Sequence, residues 1–386
     1  MSRRTMIALV SEQPMPTLLA AFNARLVPDR LVLLCTAAVR RQARRVAEVA
    51  SRRGVACDIL DVTDPFDDRE SRGLVQRTAA LAISEGAEVV VNLTGGTKPM
   101  SLGAYQGAVS AGVQACCYVE HEGFGLRWIG SDRPPAALDT ILSLEEVLQA
   151  HGFIIKGEGR AQSQQLTDLA RSMLSDMPFE AVSLLNQLAQ KVQDGDRNRR
   201  KLPPVGLDQL GGPAASADSA MEELMRWLDR AAALGLVEIE AGAVRFRGRD
   251  EHDFLRGGWL EVATEACLQR LGPRLGASDI RRSLDLQTED GLPNELDVAF
   301  LWRRRLCVIE CKTARLGGRG NLVKPADIAY KLAAADYGGR ETRRALVSLD
   351  DVQPAHRRRF DAKDIHVIDG AAARRLDDAL AAWLEG

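Results

Sequence analysis

The sequence predicts an α/β protein in three parts: a parallel-sheet domain over residues 1–150, a small helical, winged-helix-like region over 151–250, and a compact α+β domain over 251–386. Three observations predict it. Short, nearly uninterrupted apolar runs alternate with helical segments in the first part, as strands buried on both faces do. Amphipathic helical patterns fill the second part and end in two short alternating strands. The third part opens on a helix, passes through a hairpin, and closes on a helix and two further strands. At 386 residues the chain exceeds one average domain, so a division of this kind is expected.

In the first part the strands are Met6–Val10, Leu31–Cys35, Ile59–Val62, Val89–Leu93 and Ala115–Val119. Ala37–Arg53 and Ser71–Glu85 are helical, with arginines and glutamates on the outer face. That alternation gives a doubly wound, Rossmann-like domain. In the second part Leu166–Leu174, Pro178–Val192 and Ser219–Leu234 carry the helical period, and Lys191–Pro204 is a polar, basic connector. Residues 234–247 read as two strands about an Ala-Gly turn, which suggests a winged helix. Such a module either recognises nucleic acid or spaces two working domains. In the third part the elements are a helix at Gly258–Leu271, a hairpin at Glu295–Lys312, a helix at Pro325–Ala335, and strands at Arg344–Leu349 and Ile365–Ile368.

Composition narrows the function. A net charge of −2 offers no global attraction to nucleic acid, so any polyanion must be held by local patches. The seven cysteines are odd in number and mostly lie inside apolar runs, as reduced core thiols of a cytoplasmic protein do. Scattered histidines and the lack of a Cys-x-x-Cys spacing argue against structural zinc. No apolar run reaches the roughly 18 residues of a membrane span. The apolar stretch near the N-terminus is too short for a secretory signal and reads as a first strand.

The charged residues of the third part carry the chemistry. Leu296–Trp302 and Leu306–Lys312 are strand-like runs separated by Arg303-Arg304-Arg305. A hairpin turning at these arginines sets Asp297 opposite Glu310, roughly 5 Å apart at Cβ. Glu310 and Lys312 are two apart on one strand and share a face. Two close carboxylates suit Mg²⁺ or Mn²⁺, with the main-chain carbonyl of Cys311 between them as a further ligand. Lys312 would steer a bound water or neutralise charge in the transition state. The alternative is a salt-bridged hairpin on a solvated face. Val-Ile-Glu-Cys-Lys puts its charges at the end of a buried strand, where isolated charges are costly. Upstream, Gly257-Gly258-Trp259-Leu260-Glu261 opens a helix, and Glu261 is either a third ligand or a first-turn acid suited to the helix dipole.

Asp297 followed by Glu310-Cys311-Lys312 resembles the Asp … Glu-x-Lys signature of the restriction-endonuclease-like, PD-(D/E)xK, superfamily. Pro293 and Glu261 match its usual frame, while Asn294 and Glu295 interrupt the literal Pro-Asp pair. The resemblance implies that Asp297 and Glu310 hold the metal, Lys312 supports the attacking water and Glu261 completes the site.

In the first part, Asn92-Leu93-Thr94-Gly95-Gly96-Thr97-Lys98-Pro99-Met100 follows the most buried strand and precedes a helix at Ser101–Ala111. A Gly-rich strand-to-helix turn offers backbone N–H groups to phosphate, and Thr94, Thr97 and Lys98 add hydroxyls and a cation. A tight turn alone also needs two glycines, and the spacing is that of neither a triphosphatase loop nor a dinucleotide fingerprint. The segment resembles the signature turn of CRISPR-associated Rossmann-fold (CARF) sensor domains, with Val10-Ser11-Glu12-Gln13 and Thr36 matching the other loops of their pocket. The resemblance implies a homodimer that binds a cyclic oligoadenylate across its two-fold axis through Ser11, Glu12, Thr36 and Thr94, Gly95, Gly96, Thr97, Lys98.

The order of the three parts resembles the CARF-plus-nuclease effectors of type III CRISPR systems. Gly-Gly-Trp-Leu-Glu at 257–261, Tyr330-Lys331-Leu332, and Gly338-Gly339-Arg340 before Ala345-Leu346-Val347-Ser348 match as well. That family implies an endonuclease dependent on Mn²⁺ or Mg²⁺, activated by cyclic tetra-adenylate, that cuts single-stranded DNA and RNA in antiviral defence. Arg303–Arg305, Arg315, Arg319, Lys324 and Lys331 would then meet the phosphate backbone. Two rivals stand beside it: a non-catalytic DNA-binding regulator with a decayed nuclease, and a repair or restriction nuclease that senses another nucleotide.

Overall fold

The computed structural model describes residues 3–120, 125–192, 202–211, 217–317, 324–334 and 337–386. The chain forms two compact units, one of Met1–Ile154, Thr288–Leu292 and Asp336–Glu341, the other of Ile155–Gln287, Pro293–Ala335 and Thr342–Gly386. Among the described residues no helix is long and apolar enough to cross a membrane.

The first unit runs β1 (Arg4–Leu9), α1 (Met15–Ala21), β2 (Arg30–Cys35), α2 (Arg40–Arg52), β3 (Ala56–Asp61), α3 (Asp68–Ser84), β4 (Glu88–Asn92), α4 (Lys98–Ser110) and β5 (Ala115–Val119). It continues with β6 (Gly125–Ile129), β7 (Ala136–Ala137) and α5 (Leu144–Ala150). These strands form one sheet in the order β3-β2-β1-β4-β5-β6-β7. The first five are parallel, and β6 and β7 extend the sheet antiparallel. All five apolar runs are therefore strands of a doubly wound sheet. Met6, Ile7 and Ala8 of β1 are fully buried because helices cover both faces there. β1 pairs with both β2 and β4, so the winding reverses between β1 and β4. Their carboxyl ends open the crevice in which doubly wound folds take ligands.

In the second unit three helices, α6 (Gln164–Asp176), α7 (Phe179–Gln190) and α8 (Ala217–Ala233), accompany a small sheet ordered β10-β11-β9. Its strands are β9 (Val205–Gly206), β10 (Val237–Glu240) and β11 (Ala243–Phe246), preceded in the chain by β8 (Phe153–Gly157). The hairpin turns at Ala241 and Gly242, both at positive φ, as a two-residue turn requires. Of the basic connector, residues 193–201 lie outside the described residues. This winged-helix-like group and the following elements share one core, from Leu169 through Trp227 and Phe246 to Trp259, Phe300 and Leu384.

The remaining elements are α9 (Arg249–Asp253), α10 (Trp259–Leu275), β12 (Ala277–Thr288), β13 (Pro293–Trp302), β14 (Arg305–Lys312), α11 (Pro325–Ala334), β15 (Arg343–Ser348), α12 (Pro354–Asp361), β16 (Ile365–Asp369), α13 (Gly370–Arg374) and α14 (Leu376–Glu385). They build a mixed sheet in the order β16-β15-β14-β13-β12-β8. β12, β13 and β14 are antiparallel, and β14, β15 and β16 are parallel. The β13–β14 turn is tighter than the sequence suggested: Trp302 pairs with Arg305, leaving Arg303 and Arg304 as the turn at φ 47° and 69°. A left-handed conformation costs such residues about 1–2 kcal/mol each. Stacking of the Arg303 guanidinium over the Trp302 ring at 4.6 Å offsets part of that cost.

Candidate active site

The hairpin register runs from Trp302 with Arg305 down to Val298 with Ile309, one step short of Asp297 and Glu310. Asp297 and Glu310 thus stand side by side where the ladder ends, 5% and 3% exposed. The strand hydrogen bond that would continue the ladder is replaced by a side chain: the Cys311 N–H donates to Asp297 Oδ2 at 2.7 Å. Lys312 Nζ reaches Glu310 Oε1 at 2.7 Å, Asp297 Oδ2 at 3.3 Å and the Cys311 carbonyl at 3.1 Å. The three residues read from the sequence, with the Cys311 carbonyl, therefore converge.

Glu261 comes from the first turn of α10. A kinked turn over Phe254–Gly258, broken at Gly257 by non-helical backbone angles, leads into that helix. Ser283 of β12 lies between Arg282 and Leu284, which pair with Val298 and Leu296, so it stands opposite Asp297. Its hydroxyl donates to Glu261 Oε2 at 2.6 Å. Thr313, just past Lys312, is tied to α7 by two bonds: its carbonyl accepts from Asn186 Nδ2 at 3.1 Å, and its hydroxyl donates to Asn186 Oδ1 at 3.2 Å. This buried clip fixes the end of the strand that carries the charges.

A second lysine, Lys331 of α11, completes the cluster. Its Nζ lies 2.8 Å from Glu310 Oε2, 3.1 Å from Glu310 Oε1 and 3.9 Å from Asp297 Oδ1. The sequence groups Lys331 with the phosphate-contacting cations; in the structure it sits on the carboxylates. The available signal was its position on α11, beside the buried Ile328, Ala329 and Leu332. A lysine whose ammonium is drawn against such a buried flank is stabilised by an acid nearby. The other cations differ. Arg315 pairs with Asp350 and lies over the Phe179 ring, and Lys324 is exposed. Arg319 lies outside the described residues. The Arg303–Arg304 turn is six residues along the strand from Asp297, about 20 Å away at the rise of a β-strand.

Burial and mutual charge set the protonation of the cluster. Burial, then the neighbouring charge of Asp297, pushes the Glu261 carboxyl up to about 8, against the pull of Ser283 and Lys312. Burial and Glu310 likewise raise Asp297. Burial also acts upward on Glu310, but the two ammonium groups outweigh it and hold its carboxyl below the ordinary range. Burial acts downward on both lysines and the carboxylates outweigh it, so Lys312 and Lys331 stay charged. Glu295 is raised by burial and by Asp297, and it sits across from Asp285 in the β12–β13 ladder.

The donor set is all oxygen, which fits a hard divalent cation. Asp297, Glu310 and the Cys311 carbonyl would form an open site whose remaining positions go to water and substrate phosphate. Glu261 would join on losing its proton. Among the described residues no three His, Cys, Asp or Glu side chains form a ready-made cage. The Cys311 thiol is no ligand; it is buried, within 3.6 Å of the Thr264 hydroxyl, with its pKa well above the ordinary thiol value.

The Thr94–Lys98 turn of the first unit is built by close approach. A Cβ on Gly95 would lie 2.0 Å from the Leu9 carbonyl oxygen, so only glycine lets β4 exit against β1. Gly96 follows at φ +75°. Thr97, not a later residue, caps α4: its hydroxyl accepts from Met100 N and donates to the Pro65 carbonyl. With Pro99 in its first turn, the helix begins at Lys98 rather than Ser101. Thr94 is also engaged, donating to Asn92 Oδ1 at 2.6 Å and accepting from Val119 N at 2.8 Å. Both threonine hydroxyls shape the turn, while Glu12, Gly96 and Lys98 are exposed and Ser11 and Thr36 partly so.

The model of the Card1 CARF domain matches residues 5–121, and that of the Card1-like endonuclease domain matches residues 249–385. No match is found among curated proteins. Among solved structures, protein VC1899 from Vibrio cholerae superposes with a TM-score of 0.83 at 20% identity, over 99% of this chain and 98% of that one. Can2 from Sulfobacillus thermosulfidooxidans, in complex with cyclic tetra-adenylate, gives 0.75 at 19% identity over 100% and 98%. A type III CRISPR defence DNA nuclease activated by cyclic oligoadenylate gives 0.58 at 18%, over 99% of this chain but 52% of that one. At such identities these structures establish the fold, and the domain models add the family. With the sensor turn in the first match and the Asp297–Glu310–Lys312 cluster in the second, the chain belongs to the Card1-type CARF-domain endonucleases.

Proposed function

We propose that this chain is a metal-dependent endonuclease switched on by a cyclic oligoadenylate, cyclic tetra-adenylate foremost, that cuts single-stranded DNA and RNA in type III CRISPR antiviral defence. The observation that carries this reading is the glycine turn at the β1–β4 crossing in a chain whose other unit holds an Asp/Glu/Lys cluster. The ligand chemistry of Can2 and of the type III DNA nuclease supports it.

A bound Mn²⁺ or Mg²⁺ supplies Lewis acidity and lowers the pKa of water. Asp297 and Glu310, with the Cys311 carbonyl and Glu261, are the groups that would hold it. Lys312, fixed by three acceptors, keeps a positive charge beside the phosphoryl oxygens where negative charge develops. Ser283 orients Glu261, whose carboxyl holds its proton near neutral pH and releases it toward a cation. On the sensor side, the first-turn N–H groups of α4 and Lys98 favour phosphate, and Ser11, Glu12 and Thr36, which follow the carboxyl ends of β1 and β2, would add polar contacts. Two such turns related by a dimer axis suit a symmetric ring. Activation is then a coupling free energy between ring binding and the nuclease unit.

The test is cleavage of single-stranded DNA, single-stranded RNA and plasmid with Mn²⁺ or Mg²⁺, with and without cyclic tetra-adenylate, for wild type and Glu310→Ala. Cutting is expected only with metal and activator together. Activator-independent cutting overturns the sensor assignment, and activity surviving in Glu310→Ala overturns the site.

A further inference from the structure

We propose that Lys331 is an internal counter-ion of the nuclease site: its ammonium occupies the outer face of the Asp297–Glu310 pair and must be exchanged for the divalent metal. The proposal rests on the reading of these two carboxylates as metal ligands. Each buried carboxylate has an inner and an outer oxygen. The inner oxygens, Asp297 Oδ2 and Glu310 Oε1, are taken by Lys312, and Asp297 Oδ2 also accepts from the Cys311 N–H. The outer oxygens, Asp297 Oδ1 and Glu310 Oε2, face Lys331 Nζ at 3.9 and 2.8 Å, and Lys331 also reaches Glu310 Oε1 at 3.1 Å, so it straddles that carboxylate.

A divalent cation held by Asp297 and Glu310 would need the oxygens that Lys331 now faces, since Lys312 and the Cys311 N–H engage the others. An ammonium already within hydrogen-bond distance of Glu310 Oε2 would then lie within a few ångströms of a doubly charged ion on the same carboxylate. Like charges at that separation repel strongly in a buried site. Metal and Lys331 therefore bind Glu310 in turn, not together.

The two lysines differ in how readily they leave. Lys312 is 24% exposed and held by three acceptors, one of them a main-chain carbonyl of its own strand. Lys331 is 34% exposed, projects from the last turn of α11 and holds side-chain carboxylates alone. Its four-carbon stem lets the ammonium swing out while Lys312 stays. Released, it is a cation at the rim of the site, free to meet a substrate phosphate. Lys331 is thus a positioning residue in both states: it neutralises the pair before the metal arrives and is available to the phosphate afterwards. Any displacement of α11 would alter metal affinity.

The test is Mn²⁺ binding, by calorimetry and by loss of the free-ion paramagnetic resonance signal, on the full-length protein without activator or nucleic acid. Wild type, Lys331→Met, Lys331→Arg and Glu310→Gln are compared, with thermal denaturation to verify that each is folded. Lys331→Met is expected to bind Mn²⁺ about tenfold tighter, the scale of one competing ion pair, while Lys331→Arg restores near-wild-type affinity. A merely structural lysine would not raise affinity when removed. Unchanged or weaker binding by Lys331→Met, with Glu310→Gln still impaired, overturns the exchange. If Glu310→Gln binds Mn²⁺ like wild type, the metal-ligand reading itself fails, and the exchange with it.

Discussion

The turn at Thr94–Lys98 and the cluster of Asp297, Glu310, Lys312 and Lys331 both gather polar groups beside buried strands, yet they handle charge in opposite ways. In the turn, hydroxyls are consumed internally and the backbone is forced into place by the approach of Gly95 to Leu9, while Lys98 is left exposed. In the cluster the carboxylates are buried and every charge has an opposite neighbour within about 4 Å. The first leaves a cation exposed beside a backbone held by packing; the second is a neutralised knot that, on the proposed reading, must be rearranged before it can act. This division suits an enzyme that has to stay silent until a signal arrives, because an output site that is self-satisfied at rest needs free energy from elsewhere.

The largest effect should follow from cutting the knot. Asp297→Ala removes one carboxylate, leaves the Cys311 N–H without its acceptor and leaves Glu310 as the one carboxylate shared by two lysines. Activator-stimulated cleavage should fall by at least about 10²–10³-fold. Ring binding to the sensor, measured by calorimetry, should not change. If ring affinity falls as well, the two sites are not the separable devices described above.

A next, intermediate effect tests the frame. Gly95→Ala puts a Cβ against the Leu9 carbonyl, and overpacking of this kind costs typically about 1–3 kcal/mol. Gly112→Ala is the control: it lies at φ +79° with nothing within 4 Å, so it carries backbone strain without a clash. Gly95→Ala should lower the melting temperature further than Gly112→Ala and should alone weaken ring binding. Equal ring affinity in the two variants would show that the turn is a structural corner only.

How much of this was legible depended on whether the signal was local. The central strands of the first unit were, because burial on both faces writes an uninterrupted apolar run. The β13–β14 register was too, since a tight hairpin and a two-residue side-chain period fix which residues face each other. β12 was not. Ala277–Thr288 is largely polar, and Asp279 and Ser283 at φ 46° break its alternation, yet those irregularities bring the Ser283 hydroxyl to Glu261. The start of α4 was missed although Thr97 and Pro99 are ordinary cap signals, because the glycines drew the boundary further on. The contact of Lys331 with Glu310 spans 21 positions and two elements, and the Asn186–Thr313 clip spans 127. No spacing rule reaches that far. Charge on a helix flank hints that a partner exists without naming it.

The smallest effect concerns the proton on Glu261, and its sign separates the two regions again. With the carboxyl pushed up to about 8 in the folded protein, the native state holds a proton that the unfolded chain releases above its ordinary carboxylate pKa. Stability from this group is therefore fully present at low pH and is lost as pH climbs from about 4.5 through 8. Asp297, also raised, works in the same direction. Glu310, held low, is lost only under more acid conditions, so it does not mask the trend. In chelator, wild type should melt roughly 2–4 °C lower at pH 8.5 than at pH 5.5 relative to Glu261→Gln, whose amide does not titrate. Saturating Mn²⁺ should shrink the difference, because a cation near the ionised carboxylates replaces the proton. Parallel melting curves for the two proteins across that range would mean that the knot does not hold its proton, and the contrast with the sensor turn would rest on packing alone.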